Sequence, residues 1–221
     1  MPALDQKNMP FAALKRFVEP RPKANPTSAC EFCRVEIAQQ HSHVVNIETR
    51  SLMCVCRPCY LLFIRDGAAQ GKYKAVSERY LFLPQLVLTR MQWDRLQIPV
   101  GTAFFFFNST LGRTVVFYPS PAGATESLLS LDTWTELVGS NPILASLSTD
   151  VEALLVRNIK GREDFDCYVV PIDACYELVG RIRRCWKGFD GGEEAWSEID
   201  AFFTEVRARS GTADVETDVS G

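Results

Sequence analysis

The sequence predicts an α+β fold. Three observations carry that expectation. Paired cysteines crowd into residues 30–59, short apolar runs split by turn-forming residues fill the middle of the chain, and two stretches of helical periodicity close it. The expected arrangement is a small metal-binding module, a mainly antiparallel sheet, and a C-terminal helical hairpin that closes the sheet. The boundaries read as 1–29, 30–70, 71–208 and 209–221.

The N-terminal stretch divides in two. Pro10–Glu19 places Phe11, Leu14, Phe17 and Val18 on one side of a short amphipathic helix. Glu19–Ser28 then carries three prolines, which deny backbone donors and favour extended chain, so it reads as a linker.

In the next segment Cys30 to Cys33 forms a tight turn. His43–Ile47 and Ser51–Cys56 read as two strands about Glu48-Thr49-Arg50, and Pro58–Arg65 as a helix start. Further on, Ala103–Phe107 and Thr114–Tyr118 are strand-like around a hairpin-type connection. Four consecutive phenylalanines, Phe104–Phe107, must alternate faces, so at least one face is core rather than a base-stacking platform. Tyr118–Ser127 reads as a strand-to-helix connection with Thr125 or Ser127 as cap, and Leu131–Val138 as a helix. Asn141-Pro142 reads as the cap and first residue of another. Val151–Val156 and Cys167–Val170 are two more strands.

The C-terminal part is the most regular. Ile172, Cys175, Tyr176, Val179, Ile182 and Trp186 recur at helical spacing. After a glycine-containing break, Trp196, Ile199, Phe202, Phe203 and Val206 repeat the pattern, with Glu193 and Glu194 in the favourable first turn. Residues 209–221 are small and polar and read as a disordered tail.

The cysteines carry the chemistry. Five of the eight, with both histidines, lie in the thirty residues from Cys30 to Cys59, in the order CEFC, HSH, CVCRPC. A pair of thiolates two residues apart grips one ion from a single turn, and two such turns joined by a hairpin supply a tetrahedron of sulfur. Cys30, Cys33, Cys56 and Cys59 match this with 22 residues between the pairs, a zinc-ribbon-like layout. Zinc is the expected metal, because thiolates suit it and it brings no redox chemistry to a structural site. Arg57 is placed to soften the charge of the thiolates. His41, His43 and Cys54 are surplus donors. His43 or Cys54 could replace one cysteine, or the three could form a second site, although Cys54 should face away from Cys56 on a strand. Iron is the rival metal, in a rubredoxin-like electron-transfer site. Such sites favour glycine after the second cysteine of a pair, where this chain has Arg34 and Tyr60. Cys167, Cys175 and Cys185 read as buried structural thiols.

Other classes are disfavoured. A net charge of −3 argues against nucleic acid and anionic membranes. No apolar run approaches a bilayer span, and the first residues lack the apolar core of a secretory signal, so the expected location is cytoplasmic. Without a histidine outside the module, nucleophilic catalysis has little support.

Five stretches in order, CEFC with HSH, LMCVCRPCYLLF, FYPSPAGATES, VEALLVRN and CYELVGRIRRCWKGFDGGEEAWSEIDAFF, make the chain resemble a family of bacterial proteins. Its members are commonly encoded beside NiFe hydrogenases of the actinobacterial, high-affinity uptake type. The likeness runs from about residue 30 to about 208 and brings no catalytic residues with it. It implies a non-enzymatic role in assembling, maturing or supporting such a hydrogenase, with a hydrogenase subunit or a maturation factor as partner. A variant of that role has His41, His43 and Cys54 hold a second metal transiently.

Overall fold

The structure is a computed structural model that describes residues 29–86, 88–127, 132–158, 164–188 and 191–212. The helix expected at Pro10–Glu19 and the linker after it lie outside the described residues. The described chain is α+β, with antiparallel and mixed sheets and a helical C-terminal region.

The cysteine module is built on a three-stranded antiparallel sheet in the order β2-β1-β3, from β1 (Ser42–Asn46), β2 (Ser51–Val55) and β3 (Tyr73–Ala75). β1 and β2 form a hairpin that pairs His43 with Cys54. Arg50 makes its turn by taking a left-handed conformation, φ 54°, and the Asn46 side chain accepts the Thr49 amide at 3.2 Å. A single short helix follows, α1 (Arg57–Leu61), opened by Pro58 near its start. The sheet reaches past residue 70, because β3 adds to β1. A three-residue strand with all side chains half-buried has no alternation strong enough to read.

The larger part is a sheet in the order β10-β4-β9-β8-β5-β6-β7. Its centre is β5 (Thr102–Asn108), β6 (Arg113–Ser120), β8 (Glu152–Asn158) and β9 (Phe165–Pro171), all antiparallel neighbours. β4 (Leu81–Phe82) pairs with β9 on one side, and β7 (Gly123–Glu126) pairs with β6 on the other. β10 (Gly211–Thr212) adds parallel to β4, so the ordered chain extends beyond residue 208.

Both faces of this sheet are core. Phe104, Phe106, Leu155, Tyr168 and Val170 face two consecutive helices, α4 (Ile172–Cys185) and α5 (Gly192–Arg209). Those helices present Cys175, Leu178, Ile182, Ile199, Phe202, Phe203 and Val206, and Arg181 of α4, held by Glu177 one turn before it, ties them together through Glu205 of α5. Ala103, Phe105, Val116, Leu154, Val156, Cys167 and Val169 face a second layer. It comprises α2 (Arg90–Arg95), α3 (Asp132–Ser140) and a 3-10 turn at Pro142–Ser146. Burial on both faces explains why β5 and β8 read as continuous apolar runs. Only Phe107 of the four phenylalanines is exposed, at 42%. Cys167, Cys175 and Cys185 are buried, as their surroundings in sequence imply.

Two local expectations are corrected. Tyr118–Ser127 is not a strand-to-helix connection. β6 runs on to Ser120, turns, and returns as β7, with Gly123 at φ 122° and the Ser120 and Thr125 hydroxyls 2.8 Å apart across the pair. Pro119 sits within β6, where a strand interior was not expected. Asn141 does not cap the turn after it; its side chain reaches back to the carbonyl of Leu137 at 2.9 Å.

Module and sheet are docked by polar and apolar contacts together. The Tyr60 hydroxyl donates to the carbonyl of Val76 at 2.9 Å, and His43 meets Asp173 of α4 at 2.8 Å. Val45 and Leu52 pack on the core beneath α4 and α5. The link between them, Val76–Tyr80, is pinned by Glu152, which is 2% exposed. Its carboxylate accepts from Arg79 Nε at 2.9 Å, Arg79 Nη2 at 2.6 Å, the Ser77 hydroxyl at 2.6 Å and the Ser148 amide at 2.8 Å. Among the described residues no helix is long and apolar enough to cross a membrane.

Candidate metal centre

The first cysteine pair stands on a closed turn. The Arg34 amide donates to the carbonyl of Cys30, and the Cys30 amide to that of Val35, both at 2.8 Å. Closing the turn puts Arg34 in the left-handed region at φ 65°. That conformation is the one glycine would supply, so the absence of glycine has not changed the shape of this turn. Arg34→Gly should stabilise the protein by about 1 kcal/mol, read from chemical denaturation of the metal-loaded form. An unchanged or lowered stability would mean that the arginine side chain makes a compensating contact.

The second pair stands on the start of α1. Cys56 is extended, φ −74° and ψ 158°, and its carbonyl accepts the Tyr60 amide at 3.0 Å. Two hydrogen bonds tie the turns to each other. The Glu31 amide donates to the carbonyl of Cys54 at 2.9 Å, and the Cys54 amide donates to Oε1 of Glu31 at 2.6 Å. Around them lies a small core of Val44, Val55 and Tyr60, with Phe32, Phe63 and Tyr73 as a cluster of rings whose centroids are 5.0–5.3 Å apart.

This scaffold brings the sulfurs of Cys30, Cys33, Cys56 and Cys59 within 4.8 Å of one another. Cys33 and Cys56, from opposite pairs, are 3.6 Å apart. Sulfurs around one tetrahedral ion lie roughly 3.8 Å apart for bonds of about 2.3 Å, so the four are placed to hold a metal ion. The contact is far too long for a disulfide, and all eight cysteines are free thiols. Cys30 is fully buried and Cys59 nearly so, whereas Cys33 is exposed.

The thiols differ in acidity. Burial pushes Cys30 up, but the amides of Cys33, Cys56 and Phe32 and the Cys33 thiol outweigh it and hold Cys30 at about 6. Cys59 is pushed far up by burial and by the three neighbouring cysteines. A thiolate at Cys30 therefore opposes ionisation of Cys59 beside it.

Arg57 does not serve the thiolates. Its guanidinium pairs with Glu78 and lies 4.7 Å from the centre of the Tyr60 ring. His41, His43 and Cys54 do not join the four cysteines; one ligand atom from each forms a separate group, also within 4.8 Å. Sequence reasoning missed Asp173, which is 130 residues from its partner His43 and reads locally only as an acidic residue in the first turn of a helix.

A family model matches residues 29–210, and the chain belongs to that family, the family of unknown function DUF5947. No curated protein and no solved structure matches it.

Proposed function

We propose that this member of DUF5947 is a zinc-bearing, non-enzymatic accessory protein of a NiFe hydrogenase, acting in the cytoplasm through contacts with a hydrogenase subunit or a maturation factor. The observation that carries the zinc is the convergence of four cysteine sulfurs from two turns. Four protein donors complete a tetrahedron and leave no position for substrate, which is the arrangement of a structural site in a zinc-ribbon-like module. The hydrogenase enters through the sequence likeness described above. Protein contact is supported by the surface of the module. Leu61, Leu62 and Ile64, immediately after the second cysteine pair, are 52%, 67% and 52% exposed, and Val35 after the first pair is 51% exposed.

Affinity capture from the native host tests this reading. Tagged wild-type protein should retain a hydrogenase component and about one zinc per chain. Leu62→Glu should keep its zinc and lose the component by about tenfold or more, as for a central apolar contact. Capture without any hydrogenase protein, or capture that Leu61→Glu and Leu62→Glu leave unchanged, would overturn it.

One observation favours iron as a second reading. The left-handed Arg34 gives the first turn the backbone shape that an iron–thiolate electron carrier needs. Protein expressed with iron in excess over zinc would then be red and redox-active. Colourless protein holding zinc under those conditions excludes it.

A further inference from the structure

His41, His43 and Cys54 form a second cluster of metal-ligating side chains on the module. His43 and Cys54 are directly paired across β1 and β2, so their side chains share a face. His41 lies two residues before His43, and the two imidazole rings have centroids 4.7 Å apart. One ligand atom of each residue falls within 4.8 Å of the others.

The ring nitrogens decide what the cluster can do. Nδ1 of His43 donates to the carboxylate of Asp173 at 2.8 Å. Nδ1 of His41 faces the carbonyls of Ala38 at 2.9 Å and Gln39 at 3.1 Å. Carbonyls only accept, so the proton of a neutral His41 sits on Nδ1, and the carboxylate places the proton of His43 likewise. Both Nε2 atoms then carry bare lone pairs. Nε2 of His41 is buried and meets no hydrogen-bond partner among the described residues. A buried, unpaired acceptor is costly, and an ion relieves that cost. A carboxylate or carbonyl behind each imidazole is also the usual outer support of a metal-bound histidine.

We propose that His41 Nε2, His43 Nε2 and Cys54 Sγ form a second metal site for a borderline divalent ion of the zinc class. Two nitrogens and one sulfur leave one position of a tetrahedron free. Both histidines border a cleft of about 140 Å³ between the module and α4. The four-thiolate centre is closed by its own ligands, whereas this site is open and loads and unloads its ion. Ligand atoms around such an ion lie roughly 3.3–3.6 Å apart, so binding draws the three side chains slightly inward. The site stands on its own geometry and does not depend on the identity of the client.

The test is titration of the full chain with cobalt(II) after the four-cysteine centre has been filled with zinc and loose metal removed by a mild chelator. Wild-type protein should take up one further equivalent, with a thiolate-to-cobalt charge-transfer band and the intense visible bands of four-coordinate cobalt. Cys54→Ser should abolish the charge-transfer band. His41→Gln and His43→Gln should weaken binding at least tenfold, and Asp173→Asn by about ten- to a hundredfold. Each variant should retain its zinc, which shows that the module is intact; His41→Gln, outside the strands, leaves the sheet undisturbed. Absence of a second equivalent at 100 μM cobalt(II) would overturn the proposal. So would a charge-transfer band that survives Cys54→Ser, because the cobalt would then have entered the four-cysteine centre.

Discussion

Cys59→Ser is expected to strip the tightly held metal and unfold the module while the large sheet stays folded. Among the described residues the buried apolar core of the module is Cys30, Val44, Val55, Cys59 and Tyr60, and two of these are ligands. Such a core is too small to offset the ordering of its chain, at about 1–2 kcal/mol per residue. A structural zinc contributes roughly 10–16 kcal/mol of apparent binding energy near neutral pH, and that energy is folding energy when no site exists in the unfolded chain. Loss of the nearly buried Cys59 sulfur should therefore cost far more than any loss of packing. Hydrogen exchange would show it as loss of amide protection in β1–β3, with protection in β5, β8 and β9 retained. Removal of metal by a strong chelator should give the same pattern in the wild type. Protection of β1–β3 that survives both treatments would mean that the hairpin folds without an ion.

Arg79→Met carries the second large effect. It leaves the Glu152 carboxylate, 2% exposed, without its cation. Removing one partner of a buried pair costs about 3–5 kcal/mol, because the remaining charge stays desolvated. Arg79 itself is 36% exposed and can reach water, so Glu152→Gln should cost less. Burial pushes Glu152 up, but Arg79, the Ser148 amide and the Ser77 hydroxyl outweigh it and hold the carboxyl below its ordinary value. The sign of the pH dependence follows. Near the ordinary carboxylate value of about 4.3 the unfolded chain binds more protons at this position than the folded one. The contribution of Glu152 is complete above that value and is lost as pH falls through the lower folded one. Urea denaturation of the wild type should show this loss on acidification. Arg79→Met should lower stability at pH 7 and flatten the acid slope. Equal slopes in the two proteins would place the acid sensitivity elsewhere.

Much of this architecture is legible in the sequence. The two-residue spacing within each cysteine pair marks turns that present both sulfurs on one side, and the structure groups those sulfurs. The helical recurrence from Ile172 to Val206 marks α4 and α5, because their apolar faces are wide and unbroken. The apolar runs Ala103–Phe107 and Val151–Val156 mark central strands, but a continuous run does not say what covers each face. Helix α3 is legible at Leu131–Val138, but the 6-residue α2 was missed, and with it the packing of Trp93, Leu96 and Leu137 as a layer on this face. Strands β4 and β10 are two residues each and owe their pairing to neighbours distant in the chain. The contact of Asp173 with His43 is of the same kind, and with it the outer support of the His41, His43 and Cys54 cluster. The argument from Arg34 is of a different kind: it took residue type to report backbone shape, whereas closure of the turn holds the arginine in the left-handed conformation; Tyr60, after the second pair, lies in α1.

X-ray absorption at the metal edge of purified, chelator-washed full-length protein tests the central claim most directly. The account predicts about one zinc per chain, with a first shell of four sulfurs at about 2.3 Å. A first shell containing nitrogen or oxygen, or protein that retains no metal while keeping its module folded, would contradict it.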